Sequence, residues 1–400
     1  MYDSVRCVLM LMLVTLCIAA AAVAGQTDLA VESADLTLWN AHYVKAVGDL
    51  NGDGRADLLL DVGWSRWGVF FGRPLAGGPI TVDLLAEPPD VTLFDYEGFL
   101  NADIADVTGD KIDDLLLLTD DGSGGGVLHL IEGREEWPAE IRFPFNGTML
   151  TISGLAGSWY GPEVATGDVD GNGVADILIG APGAKCPRVG GLVGGGAVFA
   201  IWKLPARHTV VSDPYAFADG MFCHPCFSSG ASDLECPQFG AVLEAGDFDG
   251  DGHDDLVVGS PFRGVKESHQ GFAHVFLSKR HGRPFPHRTD VGYGTVGDML
   301  FVGASEEFHT PRSLVAGDLN HDGYDDLAIL TTDSYRPDTG VTRRYGGDLR
   351  LFLGGPGRFD GSVVEFDSEL GDWNLFGNPE PRLDKAAMGD VDGDGITDLL

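Results

Sequence analysis

The sequence predicts an all-β, turn-dense chain assembled from one repeated unit, and three observations lead there. Glycine fills 58 of 400 positions, about twice its ordinary share of ~7%. Lys, Glu and Gln, which favour helices, are scarce beside Asp, Gly, Val and Leu, a balance that suits strands and turns. Finally, one pattern of Asp, Asn and Gly recurs six times, and each copy runs into a short apolar stretch.

The N-terminus comes first. Arg6 precedes an apolar run from Val8 to Val23, and Ala22-Val23-Ala24 offers a small-x-small cleavage site. Residues 1–25 therefore read as a secretory signal peptide, too short and too small-residue-ended for a membrane anchor. No later stretch reaches the ~20 apolar residues of a spanning helix. The mature chain, 26–400, is expected to be exported, to the extracellular space or the cell surface.

The repeats decide the rest. Copy one places Asp49, Asn51, Asp53 and Asp57 at positions 1, 3, 5 and 9, with the Arg55 carbonyl at position 7. Copy two has Asp106, Thr108, Asp110 and Asp114. Copy three has Asp168, Asp170, Asn172 and Asp176, with the Val174 carbonyl. Copy four has Asp247, Asp249, Asp251 and Asp255, with that of His253. Copy five has Asp318, Asn320, Asp322 and Asp326, with that of Tyr324. Copy six has Asp390, Asp392, Asp394 and Asp398, with that of Ile396. Successive leading aspartates lie 57, 62, 79, 71 and 72 residues apart.

Oxygen side chains at these offsets, a carbonyl at position 7 and Gly at position 6 form the hard ligand set that calcium prefers. So many carboxylates in nine residues repel one another unless a cation sits among them. Twenty of the 61 acidic residues occupy these positions, so calcium accounts for much of the net charge of −35 without a basic partner. Plain Asp/Asn/Gly turns do not need acids at fixed offsets six times over. An EF-hand would need Glu at position 12 and flanking helices; here position 12 is apolar, and runs such as Leu58-Leu59-Leu60 and Leu256-Val257-Val258 suit buried strands. Five to six Ca2+ sites are expected. Thr108 at position 3 and Lys111 at position 6 make the Asp106 loop the weak one.

Removing the leader takes Cys7 and Cys17 with it and leaves Cys186, Cys223, Cys226 and Cys236 as disulfide candidates, with three pairings open. A zinc site and a redox CxxC at Cys223–Cys226 are the competing readings; the latter lacks a βαβ setting.

Two repeats carry more than the loop. Phe239-Gly240 leads into copy four and Gly259-Ser260-Pro261 follows its strand; Tyr160-Gly161 leads into copy three and Gly180-Ala181-Pro182 follows. This frame resembles the FG-GAP repeat of the integrin alpha-chain head. The resemblance implies a β-propeller of four-stranded blades with structural Ca2+, each calcium loop in the hairpin between the first two strands of its blade. Such rings commonly close with seven blades. Six are expected here, the sixth cut short at Leu400, with more chain to follow.

The function expected is a calcium-binding binding or adhesion module for an extracellular protein or carbohydrate, with no catalytic site. No Asp-x-Ser-x-Ser loop, Arg-Gly-Asp, Gly-x-Ser-x-Gly or His-Glu-x-x-His occurs. The alternatives are the propeller of a lyase-like polysaccharide enzyme, with His224, His281, His287 or His309 as base, and a lectin using Trp39, Trp64, Trp67, Trp159 or Trp202. Nucleic acid does not suit so acidic a chain. Residues 183–238 and 262–310, the widest intervals between repeats, are where recognition loops are expected, and Asn146-Gly147-Thr148 is a glycosylation sequon.

Overall fold

The computed structural model describes residues 25–27, 36–39, 43–63, 65–72, 80–83, 88–157, 161–188, 191–205, 208–224, 238–261, 271–278, 289–290, 297–303, 310–331, 334–336, 341–343, 347–359, 361, 363–366, 371–376, 386–389 and 397–399. Residues 1–24 of the expected signal peptide, Cys226, Cys236 and most of the sixth loop lie outside them, whereas its last residue, Gly25, is described.

Each repeat begins with a hairpin. The inner strand ends one residue before position 1 of the acidic loop, and the second strand begins at position 9. Gly48 thus faces Asp57, Ala105 faces Asp114, Gly167 faces Asp176, Gly246 faces Asp255 and Gly317 faces Asp326. Two further antiparallel strands complete the blade. In blade 1 the order from the centre is Tyr43–Gly48, Asp57–Gly63, Arg66–Phe70 and Val91–Phe94. Five such blades form a β-propeller, and the hairpin of the sixth repeat, Met388–Gly389 with Asp398–Leu399, stands between blade 5 and blade 1. The inner strands surround a central cavity of about 130 Å³. Among the described residues the single helix is one turn, Pro214–Phe217, capped by Asp213.

The second strands explain the apolar runs. Both faces are buried, so alternate residues serve opposite seams. Ile177 and Ile179 pack toward blade 2, while Leu178 packs toward blade 4. Leu327 and Ile329 likewise face blade 4, and Ala328 and Leu330 face the sixth hairpin. A strand covered on two sides has no polar face to show, and its sequence loses the in–out alternation of an exposed sheet.

Blades 1 to 4 each have a fifth strand lent by the next blade. The segment Glu140–Arg142, between the third and fourth strands of blade 2, pairs in parallel with the outer strand of blade 1. Thr209–Val211, Thr289–Asp290 and Val363–Glu365 do the same for blades 2, 3 and 4. On blade 5 that place is taken by Gly25–Thr27, beside Trp373–Leu375. Leu36–Trp39 pairs with Ile80–Asp83, the matching connection of blade 1.

The seams leave little room for a Cβ at the residue before four of the five described loops. A Cβ on Gly48 would stand 2.3 Å from Ile104 Cγ2, and one on Gly167 would stand 2.6 Å from the Ala245 methyl. Gly48→Ala is expected to lose about 1–3 kcal/mol through overpacking. Ala105→Gly, at the equivalent place in blade 2, is expected to cost no more than about 1 kcal/mol. Urea unfolding measures both, and a neutral Gly48→Ala would refute the close seam.

Candidate metal centre

The five described loops share one hydrogen-bonded frame. The carboxylate at position 1 spans two backbone N–H groups, those of positions 5 and 6. Asp49 accepts from Asp53 at 3.0 Å and Gly54 at 2.8 Å; Asp168 accepts from Asn172 at 2.9 Å and Gly173 at 2.7 Å. Asp247 and Asp318 do the same, and so does Asp106. Position 5 in turn accepts from the N–H of position 7, as Asp251 does from His253 at 3.1 Å. Such short-range acceptance by Asp and Asn is what lets these side chains replace regular pairing in a turn.

Positions 4 and 6 both have left-handed backbone. In copy one these are Gly52 and Gly54, at φ +71° and +81°. Lys111 holds the same conformation, at φ +74°, in the second loop, so that loop keeps its backbone and differs only in chemistry.

Position 9 ties the loop to the sheet. Asp57 Oδ2 accepts from Leu50 N–H at 2.9 Å, and Oδ1 accepts from Gly72 N–H, just past the third strand, at 2.8 Å. Asp114 and Asp326 bind Gly133 and Gly354 alike. In the fourth loop Asp255 Oδ1 accepts from Ser278 N–H at 2.7 Å, while its buried Oδ2 has no hydrogen-bond partner.

Two loops gather three carboxylates. One oxygen each from Asp168, Asp170 and Asp176 lie within 4.8 Å of one another, and so do oxygens of Asp247, Asp249 and Asp255. Oxygens across a calcium shell with ~2.4 Å bonds are separated by about that distance. The residues fit such an ion: the donors are hard oxygens, and one of them is a buried atom that nothing else satisfies. Copies one and five offer Asn51 and Asn320 at position 3, which accept from position 5 N–H. Of the sixth loop, Asp390, Asp392, Asp394 and Ile396 lie outside the described residues, as does the Asp398 side chain.

Burial makes these acids reluctant to ionise. Desolvation, with repulsion from Asp170 and Asp168, raises Asp176 to about 8; desolvation, then repulsion from Asp249, Asp247 and Asp251, raises Asp255 to about 8. Asp57 and Asp326 rise to about 7, again mainly by desolvation.

Position 8 was not singled out from the sequence, yet it links the loops. Asp113 Oδ2 accepts from Asp49 N–H at 2.7 Å, Asp254 Oδ2 from Asp168 N–H at 2.7 Å, and Asp325 Oδ2 from Asp247 N–H at 2.9 Å. In each case a blade's loop grips the first acid of the preceding blade's loop. The visible signal was the doubled Asp closing copies two, four and five.

The other candidates separate. Cys223, buried at the end of Gly220–Cys223, is disulfide-bonded; Cys226, Cys236 and the Cys186 side chain lie outside the described residues. His224 is not a solvated loop residue. It is 1% exposed, near the rings of Phe239 and Phe272, because the strand end that carries it is closed over by the next blade. Trp67 is buried in the seam of blades 1 and 2 beneath Lys45. Trp202 packs over Gly220. His281, His287, His309, Trp64, Trp159 and the Trp39 side chain lie outside the described residues.

The FG-GAP repeat model matches residues 160–201, 239–276 and 310–342. The chain carries FG-GAP repeats. Several integrin alpha chains resemble it. Integrin alpha-PS2 of Drosophila melanogaster is 29% identical over 230 residues, 56% of this chain and 14% of the integrin, so the chain spans about a seventh of that relative's length. Two solved structures overlap more loosely. A lectin of Agrocybe aegerita that recognises non-reducing terminal N-acetylglucosamine shares 14% identity at a TM-score of 0.39, covering 90% of this chain and 74% of the lectin. Rhamnogalacturonan lyase YesW shares 11% identity at 0.30, covering 78% and 47%. Scores that low do not bear on function.

The FG-GAP name describes a seam. Gly240 has φ +86°, and its carbonyl lies where a Cβ on Gly180 would come within 2.0 Å. The Gly of one blade's Gly-Ala-Pro therefore rests on the Phe-Gly of the next.

Without metal, Asp176 and Asp255 sit above their unfolded value of 3.8. Their contribution is fully present below that value and is lost as pH rises through about 8. Urea unfolding in EDTA is expected to give a lower stability at pH 8 than at pH 5, with Asp255→Asn flattening the difference. Equal or greater stability at pH 8 would contradict the burial argument.

Proposed function

We propose that this chain is an extracellular or cell-surface binding module, its propeller stiffened by calcium in the loops of copies one, three, four, five and six. The observation that carries this reading is the convergence of Asp247, Asp249 and Asp255 around a buried carboxylate oxygen without a partner. Bound calcium would supply the positive charge that offsets repulsion among these acids. The protein's own part is orientation: positions 5 and 6 hold the first acid, and the sheet holds the ninth. Thr108 and Lys111 leave the second loop without ion.

Similarity to integrin alpha chains supports a protein or carbohydrate ligand rather than a substrate. The long connections within 183–238 and 262–310 are the proposed recognition surface. Residues 1–25 are proposed as a removed signal peptide and 26–400 as the propeller. No helix among the described residues is long and apolar enough to cross a membrane. An oxidising compartment agrees with the bonded Cys223, whose partner is one of Cys186, Cys226 and Cys236.

Thermal melting of the full chain with EDTA, millimolar Ca2+ or Mg2+ tests the metal role. A ligand that binds only the folded state at a hundred times its Kd adds about 2.7 kcal/mol per site. A calcium-specific rise in Tm is the expected result, and identical melts in EDTA and calcium would refute it.

A further inference from the structure

The geometry points to Asp113, Asp254 and Asp325 as positioning residues for the metal loop of the preceding blade. This assignment rests on the calcium reading and adds to it a group that no loop contains by itself.

Each of the three sits at position 8, one residue before the ninth-position acid of its own loop, but its carboxylate accepts the N–H of the leading aspartate one blade back. The grip is reciprocal. Backbone N–H of Asp113, Asp254 and Asp325 donates to the carbonyls of Asp49, Asp168 and Asp247, at 3.1, 2.9 and 3.1 Å. The leading aspartate is thus held at both its N–H and its C=O, on either side of the Cα that carries the first carboxylate of the loop. Fixing those two groups fixes where that carboxylate points. A residue that orients a ligand in this way commonly changes metal affinity by ~10–100-fold.

A purely structural clamp would be needed equally at every seam, and it is not found at every seam. Between blades 2 and 3 position 8 is Ala175. Its N–H still donates to the Asp106 carbonyl at 3.1 Å, but blade 3 offers no carboxylate to the Asp106 N–H, which is faced instead by Asp113 of its own loop. Two loops lack the grip: that of copy two, with Thr108 and Lys111 in place of an acid and a glycine, and that of copy five, since position 8 of the sixth repeat is Thr397. The loops that receive the extra carboxylate, those of Asp49, Asp168 and Asp247, keep an oxygen ligand at position 3 and Gly at position 6. The seam also adapts. Gly48, Gly167 and Gly246 precede the gripped loops, where a Cβ would come within 2.9 Å of the incoming carboxylate, whereas Ala105 precedes the ungripped loop of copy two. At that seam the absent carboxylate leaves room for a methyl group. The carboxylate also brings a negative charge close to the first ligand, which favours a divalent cation there.

Calcium titration calorimetry of the full chain tests this in five forms: unmodified, Asp325→Ala, Asp325→Asn, Asp247→Ala, and Asp247→Ala with Asp325→Ala. Asp325→Ala is expected to weaken one site by about tenfold or more. Asp325→Asn, which keeps an oxygen acceptor and loses the charge, is expected to weaken it less. Once Asp247→Ala has removed the fourth loop's site, adding Asp325→Ala is expected to change nothing further. Loss of a second site in the double variant would overturn the assignment, because Asp325 would then serve its own loop. An unchanged isotherm with a lowered metal-free Tm would also overturn it, in favour of a clamp with no part in metal binding. An unmodified chain that takes up no calcium would overturn the metal reading itself, and that control separates the two failures.

Discussion

One carboxylate bridging two backbone N–H groups is the constraint on which each blade depends. Asp49, Asp106, Asp168, Asp247 and Asp318 each close a tight loop by accepting from positions 5 and 6. That closure sets the register of the hairpin behind it, pairing the residue before the loop with the acid at position 9. Register in turn decides which residues of the second strand face which seam, since a slip of one residue would exchange the two faces. The acids that suit a cation are thus also the residues that build the blade, and repulsion among them is a cost of the fold whether or not an ion is bound.

The seams depend on the same loops from the other side. The side chain at position 7 covers the position-4 residue of the preceding loop: Ile112 lies over Gly52, Val174 over Gly109, His253 over Gly171 and Tyr324 over Gly250. Those glycines answer to two demands at once, a left-handed backbone and a neighbour resting where a side chain would be. His321 is the non-glycine at this place, at φ +57°.

The repeat, the hairpin position of the loops and the all-β character were legible in the sequence because they are local. Ligand offsets fall within nine residues, and a doubly buried strand shows itself as an unbroken apolar run. What could not be read depends on neighbours in space. Asp325 appears beside Asp326 as one more acid, and only the ring reveals that it faces Asp247. The FG-GAP frame of the fifth repeat was hidden for a related reason. Thr310-Pro311 stands where Phe239-Gly240 stands one blade earlier: Gly271 lies against the Thr310 backbone as Gly196 lies against that of Phe239. Close backbone approach is what the seam requires, and more than one dipeptide permits it. His224 misled in the opposite direction, since a histidine in an irregular stretch looks solvated until the neighbouring blade is in place.

The lent fifth strands give the ring a direction. Glu140–Arg142 completes blade 1, Thr209–Val211 completes blade 2, Thr289–Asp290 completes blade 3 and Val363–Glu365 completes blade 4, so each of these four blades is finished by residues that come later in the chain. The position-8 carboxylates and the position-7 covers point the same way. For a polypeptide made from its N-terminus, assembly is vectorial: each new blade seals the one before it and leaves its own outer edge open until the next arrives. Gly25–Thr27 is the exception, the earliest of the described strands, paired with the outer strand of blade 5. It must wait for nearly the whole ring, and closing so distant a contact is the slow kind of folding step. Until then the newest outer edge is an unpaired strand, open to any other chain that offers one.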